Sequence, residues 1–168
     1  MSEYNRTTRE CSVNQLQPEV FHALKTYFHE KNLGDVEVET VLCCETISTK
    51  KHAGGLFSQL SPAVDTTIYT GAILTSEWLI WVRSGDTSGT MLSAANLNHI
   101  IVNTYKSMFV NDSGLEIIGY IGDSKLVVKG YVGMGPEPAM QKFCDEVKQA
   151  IIRINPPKQT SRPKWLGG

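Results

Sequence analysis

The stretch GAILTSEWLIWV, residues 71–82, decides the fold, because two apolar runs flank a short polar break. The runs around that break, TTIYTGAILT and WLIWV, predict two antiparallel strands joined by a tight turn at Ser76 and Glu77. Apolar residues occupy consecutive positions in both runs, so we expect much of both faces of this hairpin to be buried. Trp78 and Trp81 are three positions apart and therefore lie on opposite faces, one in the core and one toward an edge or a partner.

Length and composition indicate a single globular domain. The chain has 168 residues, of which 41% are hydrophobic and 20% charged, and its net charge is −1. A chain of this size buries about two thirds of its unfolded surface, which is enough for a sizeable core. Near-neutral charge supplies no overall positive field for a nucleic-acid backbone, so we expect no nucleic-acid partner. The polar N-terminus lacks a secretory signal and no apolar run is long enough for a membrane span, so we expect a cytoplasmic protein.

The cysteines and histidines do not have the spacing of metal ligands. The cysteines are Cys11, the adjacent pair Cys43 and Cys44, and Cys144, and we interpret them as free thiols with the role of small core residues. His22 and His29 share a polar helical face but lie seven residues apart, about 10.5 Å along a helix axis, too far for one ion. The sequence therefore predicts no metal and no cofactor.

Two segments have helical periodicity. LQPEVFHALKTYFHEKNLG begins at residue 16, has Pro18 near its start and Gly34 after its end, and predicts a helix over 17–33. Residues 138–154 predict a second helix, which we expect to close a hydrophobic opening of the sheet. Its apolar residues lie within an arc of roughly 140°: Ala139, Met140, Phe143, Cys144, Val147, Ala150, Ile151 and Ile154. We expect residues 1–15 and 156–168 to be flexible, which leaves one domain over 16–155.

The region between the helices, residues 36–133, has the period of β-strands. One long strand is predicted over 36–50, with a bulge near Thr40 and Val41, where the apolar phase slips, and with Cys43 and Cys44 on opposite faces. Gly119 and Gly130 indicate bulges or tight bends of a curled sheet. The remaining pattern is a long connection at 52–65, strands at 90–93, 96–110, 115–121 and 125–132, and turns at 84–89, 111–114 and 122–124.

Seven strands in hairpin order followed by one amphipathic C-terminal helix resemble a pleckstrin-homology-like barrel. Residues 71–102 are also similar to the segment of bacterial PH-like and GRAM domains in which a strand ends in Leu-Thr, turns, and returns as Leu-apolar-apolar before an Asn/Asp-x-x-Ile step. The matching positions are Leu74, Thr75, Leu79, Ile80, Asn96 to His99, and Ile100. The resemblance covers about 36–154. It implies an α+β, mainly β fold: a strongly bent seven-stranded antiparallel sheet pair or partly open barrel, capped by the C-terminal helix, with an extra N-terminal helix.

The resemblance also implies a binding module, since eukaryotic relatives dock phosphoinositide headgroups or peptides through the loop after the first strand. In this chain that loop begins with Lys50, Lys51 and His52, and Arg83 lies after the third strand. The following segment, residues 66–75, lacks the basic residues that lipid recognition uses in the family.

Three functions remain open at this point. The first is a non-enzymatic module that self-associates or binds a protein through a strand edge or through Trp78 or Trp81. The second is binding of an anionic lipid or headgroup through Lys50, Lys51 and the basic C-terminal tail, with Arg83 as a further ligand-binding residue, which would bring only peripheral contact with a membrane. The third is a small enzyme. No catalytic residues are predicted, because the sequence shows neither a Ser-His-acid set nor a phosphate-binding loop. His99 could converge with Asp112 or Glu116 in the folded chain, although a lone histidine beside a strand is more often structural.

Overall fold

The structure is a computed structural model that describes residues 4–51, 65–106 and 113–156. Within these ranges the chain forms eight strands, three α-helices and two short 3-10 helices. The strands are β1 (Tyr4–Glu10), β2 (Leu42–Lys50), β3 (Thr67–Leu74), β4 (Trp78–Gly85), β5 (Gly89–Asn96), β6 (Ile100–Lys106), β7 (Ser113–Gly119) and β8 (Val128–Met134). The helices are α1 (Pro18–Lys31), α2 (Val36–Glu39) and α3 (Pro138–Ile154), with 3-10 turns at Val13–Gln15 and Leu97–His99.

The strands form two antiparallel sheets. The first has the order β1-β2-β3-β4-β5 and the second the order β6-β7-β8, so consecutive strands pair within each sheet, whereas β5 and β6 lie in different sheets. The prediction of a mainly β protein with antiparallel sheets and a C-terminal helix is confirmed. The predicted number of seven strands is wrong for the described residues, because β1 adds an eighth at the edge of the first sheet.

The β3–β4 hairpin lies at the centre of the first sheet, as the sequence predicts. Leu74 pairs with Leu79, and the Thr75 hydroxyl accepts hydrogen bonds from the backbone N–H groups of Glu77 and Trp78, which closes the turn. Four consecutive residues of β4, 79–82, are buried. Both faces of the hairpin are therefore covered, and the covering elements come from the same chain.

The first sheet separates two hydrophobic cores. The core on one face is formed with the second sheet and α3: Cys44, Ala72, Leu74, Leu79, Trp81, Ala95, Leu97, Ile100, Val102, Leu115, Ile117, Val132, Met134, Phe143, Cys144, Val147 and Ala150. The core on the other face is formed with α1 and its flanking segments: Val13, Leu16, Val20, Leu24, Phe28, Val36, Cys43, Ile73, Ile80, Val82 and Ala94. Cys43 and Cys44 belong to different cores, which confirms their opposite orientation.

The two long helices confirm the predicted periodicities. All eight residues of the predicted α3 stripe are buried in, or packed against, the core beneath the second sheet. α1 approaches the first sheet closely over Gly71, where an added Cβ would lie 2.5 Å from Cγ1 of Val20. Glycine at this position therefore lets the helix contact the sheet backbone.

Three predicted elements are wrong. Residues 4–10 are not a flexible end, because Tyr4–Glu10 pair along their whole length with β2. Residues 36–39 are not part of the long strand: the Asp35 carboxylate accepts from the N–H groups of Glu37 and Val38 and starts the short helix α2 instead. The strand predicted over 96–110 begins only at Ile100, since a 3-10 turn precedes it.

Other predicted strands and turns have different bounds in the structure, and some predicted segments lie outside the described residues. The strand expected at 90–93 spans Gly89–Asn96, the strand expected at 125–132 spans Val128–Met134, and β7 begins at Ser113 inside the expected turn. Most of the connection 52–65, the segment 107–112 and the tail from residue 157 lie outside the described residues. In the parts of the chain that are described, no helix is long and apolar enough to cross a membrane.

Candidate functional site

A cleft of about 600 Å³ lies between the two sheets, at the strand ends that α3 does not cover. Along β1, Tyr4 and Arg6 line the cleft, whereas Glu10 at the far end of the strand binds Lys142 of α3 at 2.7 Å. The lining residues are Tyr4, Arg6, Ser48, Ile68, Thr70, Trp81, Arg83, Met91, Ser93, Tyr105, Tyr131, Val132 and Gly133. α3 therefore closes one end of the space between the sheets, and the cleft lies toward the other end.

Register places the polar lining of the first sheet on one face. Arg6 pairs with Ser48, Ser48 with Ile68, and Thr70 with Arg83, so these side chains point to the same side of neighbouring strands. This side is the one that carries the second-sheet core farther along the strands, where it is apolar. The change from apolar to polar residues along these strands marks the boundary between core and cleft.

Two guanidinium groups supply the charge of the cleft. Among the described residues that line it, Arg6 and Arg83 are the charged side chains, and no carboxylate is present. The Arg6 guanidinium lies against the backbone of β8, because a Cβ added at Gly133 would come within 2.9 Å of its Cζ and Nε atoms. Glycine at residue 133 thus makes room for the arginine where the edges of the two sheets meet.

Asp65 lies at the rim of the cleft, beside Arg83. Its carboxylate accepts hydrogen bonds from the N–H groups of Thr87 and Ser88 at 2.6 and 2.8 Å and from the Ser88 hydroxyl at 2.6 Å. These bonds, the Ser88 hydroxyl first, lower the pKa of Asp65 to about 2. An Arg83 nitrogen lies 3.6 Å from the carboxylate, and the Arg83 side chain is half exposed. The buried acid therefore orients Arg83 while its own oxygens are bound to the β4–β5 turn.

Aromatic side chains contribute from both sheets. The Tyr4 hydroxyl donates to the Asp65 carbonyl oxygen at 2.9 Å. The rings of Tyr105 and Tyr131 meet edge to face, with centroids 5.3 Å apart. Trp81 is 9% exposed and joins the cleft to the core. The cleft thus combines two cations with aromatic and aliphatic surface, a composition that suits a ligand with an anionic group on an apolar body.

The residues predicted from the sequence to bind a ligand are only partly brought together. Arg83 lines the cleft. Lys50 ends β2 opposite Tyr4, which is itself a lining residue, and Lys51 follows the strand; neither lysine lines the cleft. The loop that they begin lies outside the described residues from residue 52 onward.

The two tryptophans predicted to contact a partner lie on opposite faces, as expected. Trp81 belongs to the second-sheet core, and Trp78 packs, half-buried, against the core formed with α1. Most of the Trp81 side chain is therefore buried by contacts within the chain.

Sequence reasoning missed Tyr4 and Arg6 because it treated the N-terminus as flexible. The alternation in YNRTTRE was the available signal, since Tyr4, Arg6 and Thr8 share a parity and are more buried than Asn5 and Thr7. Only two β-branched residues occur in this segment, so its strand propensity is weak. Tyr105 and Tyr131 are 26 residues apart in the chain and lie in different strands, and nothing in the sequence indicates that their rings meet.

In the described residues no metal-ligand group is found, and His99 and Glu116 of the examined pairing each contact another residue. No group of three or more His, Cys, Asp and Glu side chains in the described ranges could hold a metal ion. His99 contacts Tyr120 edge to face, and Glu116 binds Lys129 at 2.8 Å, so these described members of the examined pairing have other partners. Asp112 lies outside the described residues.

Comparison of the chain with protein-family models, with curated proteins and with solved structures gives no match.

Proposed function

We propose that this chain is a non-enzymatic binding module of the pleckstrin-homology-like kind, and that its cleft binds a small ligand carrying an anionic group on an apolar body. The observation that carries this proposal is the presence of Arg6 and Arg83 in the lining of one cleft between the sheets. A volume of about 600 Å³ falls within the range of small-molecule sites.

The order of the elements supports the pleckstrin-homology-like assignment. β2 to β8 are seven strands in hairpin order, and α3 follows them as one amphipathic helix. β1 and α1 are then additions that precede this unit. In this arrangement the C-terminal helix fills one end of the sheet pair, and the cleft lies toward the other end.

The chemistry of the lining supports an anionic ligand. A guanidinium group presents paired N–H donors that match the two oxygens of a carboxylate or phosphate. The hydroxyl groups of Ser48, Thr70 and Ser93 line the same cleft and can donate to further oxygens. Partial burial strengthens such bonds relative to water, whereas the apolar lining gives the ligand body an area to cover.

Titration with decanoate and decanol tests the proposal, because the two probes share an apolar body and only decanoate is charged. Decanoate should bind more tightly, and Arg6→Ala or Arg83→Ala should weaken its binding about tenfold or more, the loss expected for a charge-assisted hydrogen bond. Neither variant should change the binding of decanol. Arg153→Ala is the matched control, since Arg153 lies on α3 with its side chain largely exposed. Equal affinities of the wild type and both cleft variants for decanoate would overturn the proposal.

Two sources of such a ligand are separated by a second measurement. If the anion belongs to a lipid surface, the protein should co-sediment with vesicles of phosphatidylcholine and phosphatidylserine at low salt and stay in the supernatant at high salt. A cleft that serves a soluble ligand should bind decanoate and leave both these vesicles and pure phosphatidylcholine vesicles unbound.

Self-association or protein docking is the second function that we propose. Large exposed apolar side chains outside the cleft concentrate in the second sheet and the β7–β8 connection: Ile101, Tyr120, Leu126, Val127 and Val128. The apolar hairpin no longer supports this function by itself, because α1 covers the face that was open to a partner.

A further inference from the structure

Cys11 and Cys43 are close enough to react with each other. Cys11 directly follows β1, Cys43 lies in β2, and their Sγ atoms are 3.8 Å apart. The Cys11 N–H group donates to the Cys43 carbonyl oxygen at 3.1 Å, which extends the pairing of the two strands and holds the two backbones together. A disulfide bond is about 2.0 Å long, so the sulfur atoms must approach by about 2 Å for the bond to form.

The pair lies beside a surface hollow that is separate from the cleft. The hollow has a volume of about 350 Å³, and Cys11 and Cys43 both line it. Cys11 is half-buried, whereas Cys43 is only 3% exposed. A small reagent that enters this hollow therefore meets the Cys11 sulfur first.

Electrostatics distinguish Cys11 from the other thiols. A hydrogen bond with the Cys43 thiol lowers the pKa of Cys11, and the positive charge of Arg9 acts in the same direction against the effect of burial. The same hydrogen bond, followed by burial, raises the pKa of Cys43. Burial also raises the pKa of Cys44 to about 12 and that of Cys144 to about 11. Because the thiolate is the nucleophile, a lowered pKa together with partial exposure favours reaction at Cys11 over the other three cysteines.

The other two cysteines do not compete as partners. Cys44 points to the opposite face of β2, where its Sγ contacts the Ala139 carbonyl oxygen, and Cys144 contacts the Met140 sulfur in the same core. The sheet itself separates both of them from Cys11.

We propose that Cys11 and Cys43 form an oxidant-sensitive dithiol in which Cys11 reacts with a hydroperoxide and Cys43 closes the disulfide. The Cys11 thiolate attacks the outer peroxide oxygen, the O–O bond breaks, and the alkoxide leaves and is protonated to the alcohol. The resulting Cys11 sulfenic acid condenses with the Cys43 thiol, forming the S–S bond and releasing water. The two thiols lose two electrons in total, the hydroperoxide gains them, and an external dithiol restores the pair by exchange.

Peptide mapping after peroxide treatment tests the proposal. The full-length reduced protein is exposed to tert-butyl hydroperoxide, the remaining thiols are alkylated, and the digest is analysed by mass spectrometry. We expect a linked Cys11–Cys43 peptide, lower in mass by two hydrogen atoms, in protein that stays monomeric on a non-reducing gel. Cys11 should lose its ability to be alkylated at least about tenfold faster than Cys144, because its thiolate fraction is larger.

Single variants separate the two steps. Cys43→Ala should stop the reaction at the Cys11 sulfenic acid, which dimedone captures, and Cys11→Ala should leave Cys43 reduced. Cys144→Ala is the matched control and should still form the linked peptide. A link between any other pair of cysteines, a link between two chains, or oxidation of Cys11 no faster than that of Cys144 would overturn the proposal, and none of these outcomes depends on the ligand of the cleft.

Discussion

At the residue scale, single side chains set the shape of the cleft. Asp65 receives three hydrogen bonds from the β4–β5 turn, and Asp86 of that turn in return accepts from the backbone N–H and the hydroxyl of Thr66. Gly85 lies directly beneath the Asp65 carboxylate, which an added Cβ would overlap. This reciprocal set of bonds joins the start of β3 to the end of β4 beside Arg83. One acid therefore fixes both the turn and the cation at the rim.

The low pKa of Asp65 predicts a pH-dependent contribution to stability. Hydrogen bonds from Ser88 and Thr87 lower this pKa from its ordinary value of 3.8 to about 2. A carboxyl group with a lowered folded-state pKa stabilises the protein above the unfolded-state pKa, and this contribution is lost as the pH falls through the folded-state value. We expect Asp65→Asn to lower the urea midpoint near neutral pH, and the difference from wild type to shrink between about pH 4 and about pH 2.

Ser88→Ala provides the companion measurement, since the Ser88 hydroxyl is the largest cause of the lowered pKa. It should reproduce part of the same pH-dependent difference. A difference between wild type and Asp65→Asn that stays constant down to about pH 2 would show that the carboxylate does not act through these bonds.

At the element scale, α3 is the helix that closes the sheet pair. Its periodicity and its proline at the first helical position made it the clearest prediction from the sequence, and its buried stripe is where the period places it. α2 was missed for the opposite reason: the Val-Glu-Val-Glu alternation over 36–39 has the period of a strand, and the Asp35 side chain, as N-cap, decides for a helix. β1 was missed because polar residues occupy most of its positions and its pairing with β2 is a long-range contact.

Phe143→Asp should unfold the domain. Phe143 is fully buried in the second-sheet core, and truncating such a side chain to alanine already costs about 3–5 kcal/mol, a large share of the 5–15 kcal/mol by which domains are usually stable. Aspartate adds the cost of a buried, unpaired charge. Ile152→Asp is the matched control, because Ile152 is on the same helix with 48% of its surface exposed. Thermal denaturation followed by circular dichroism measures both variants, and a wild-type transition for Phe143→Asp would show that α3 does not close the core.

At the scale of the whole molecule, β1 joins the two sheets. The buried Thr8 hydroxyl contacts the Thr46 hydroxyl at 2.8 Å and accepts from the Gly135 N–H group at 2.7 Å, while the Thr8 N–H group donates to the Glu137 carboxylate at 2.8 Å. These bonds link the edge of the first sheet to the segment between β8 and α3. The same strand carries Arg6, so the contact that closes the fold also places a cation in the cleft.

Self-association would also involve the whole molecule, and sedimentation velocity tests it. Ile101 is 65% exposed, between the buried residues Ile100 and Val102, and so points away from the core of the second sheet. A stable dimer through this face should bury about 1,000 Å² or more. We expect a concentration-dependent shift toward dimer that Ile101→Lys removes, whereas Val38→Lys, at an exposed apolar residue on α2, should leave it unchanged. A monomer at all concentrations would exclude self-association of this kind.

The sequence by itself determined the local patterns: the central hairpin, both long helices with their buried faces, and the opposite orientation of Cys43 and Cys44. These features follow from periodicity and turn chemistry, which act between residues close together in the chain. Only the tertiary structure decided that α1 covers the outer face of the hairpin, that Arg6 and Arg83 line one cleft, and that Cys11 lies beside Cys43. Each of these arrangements joins segments far apart in sequence, and the register and packing that create them depend on the whole chain rather than on either segment alone.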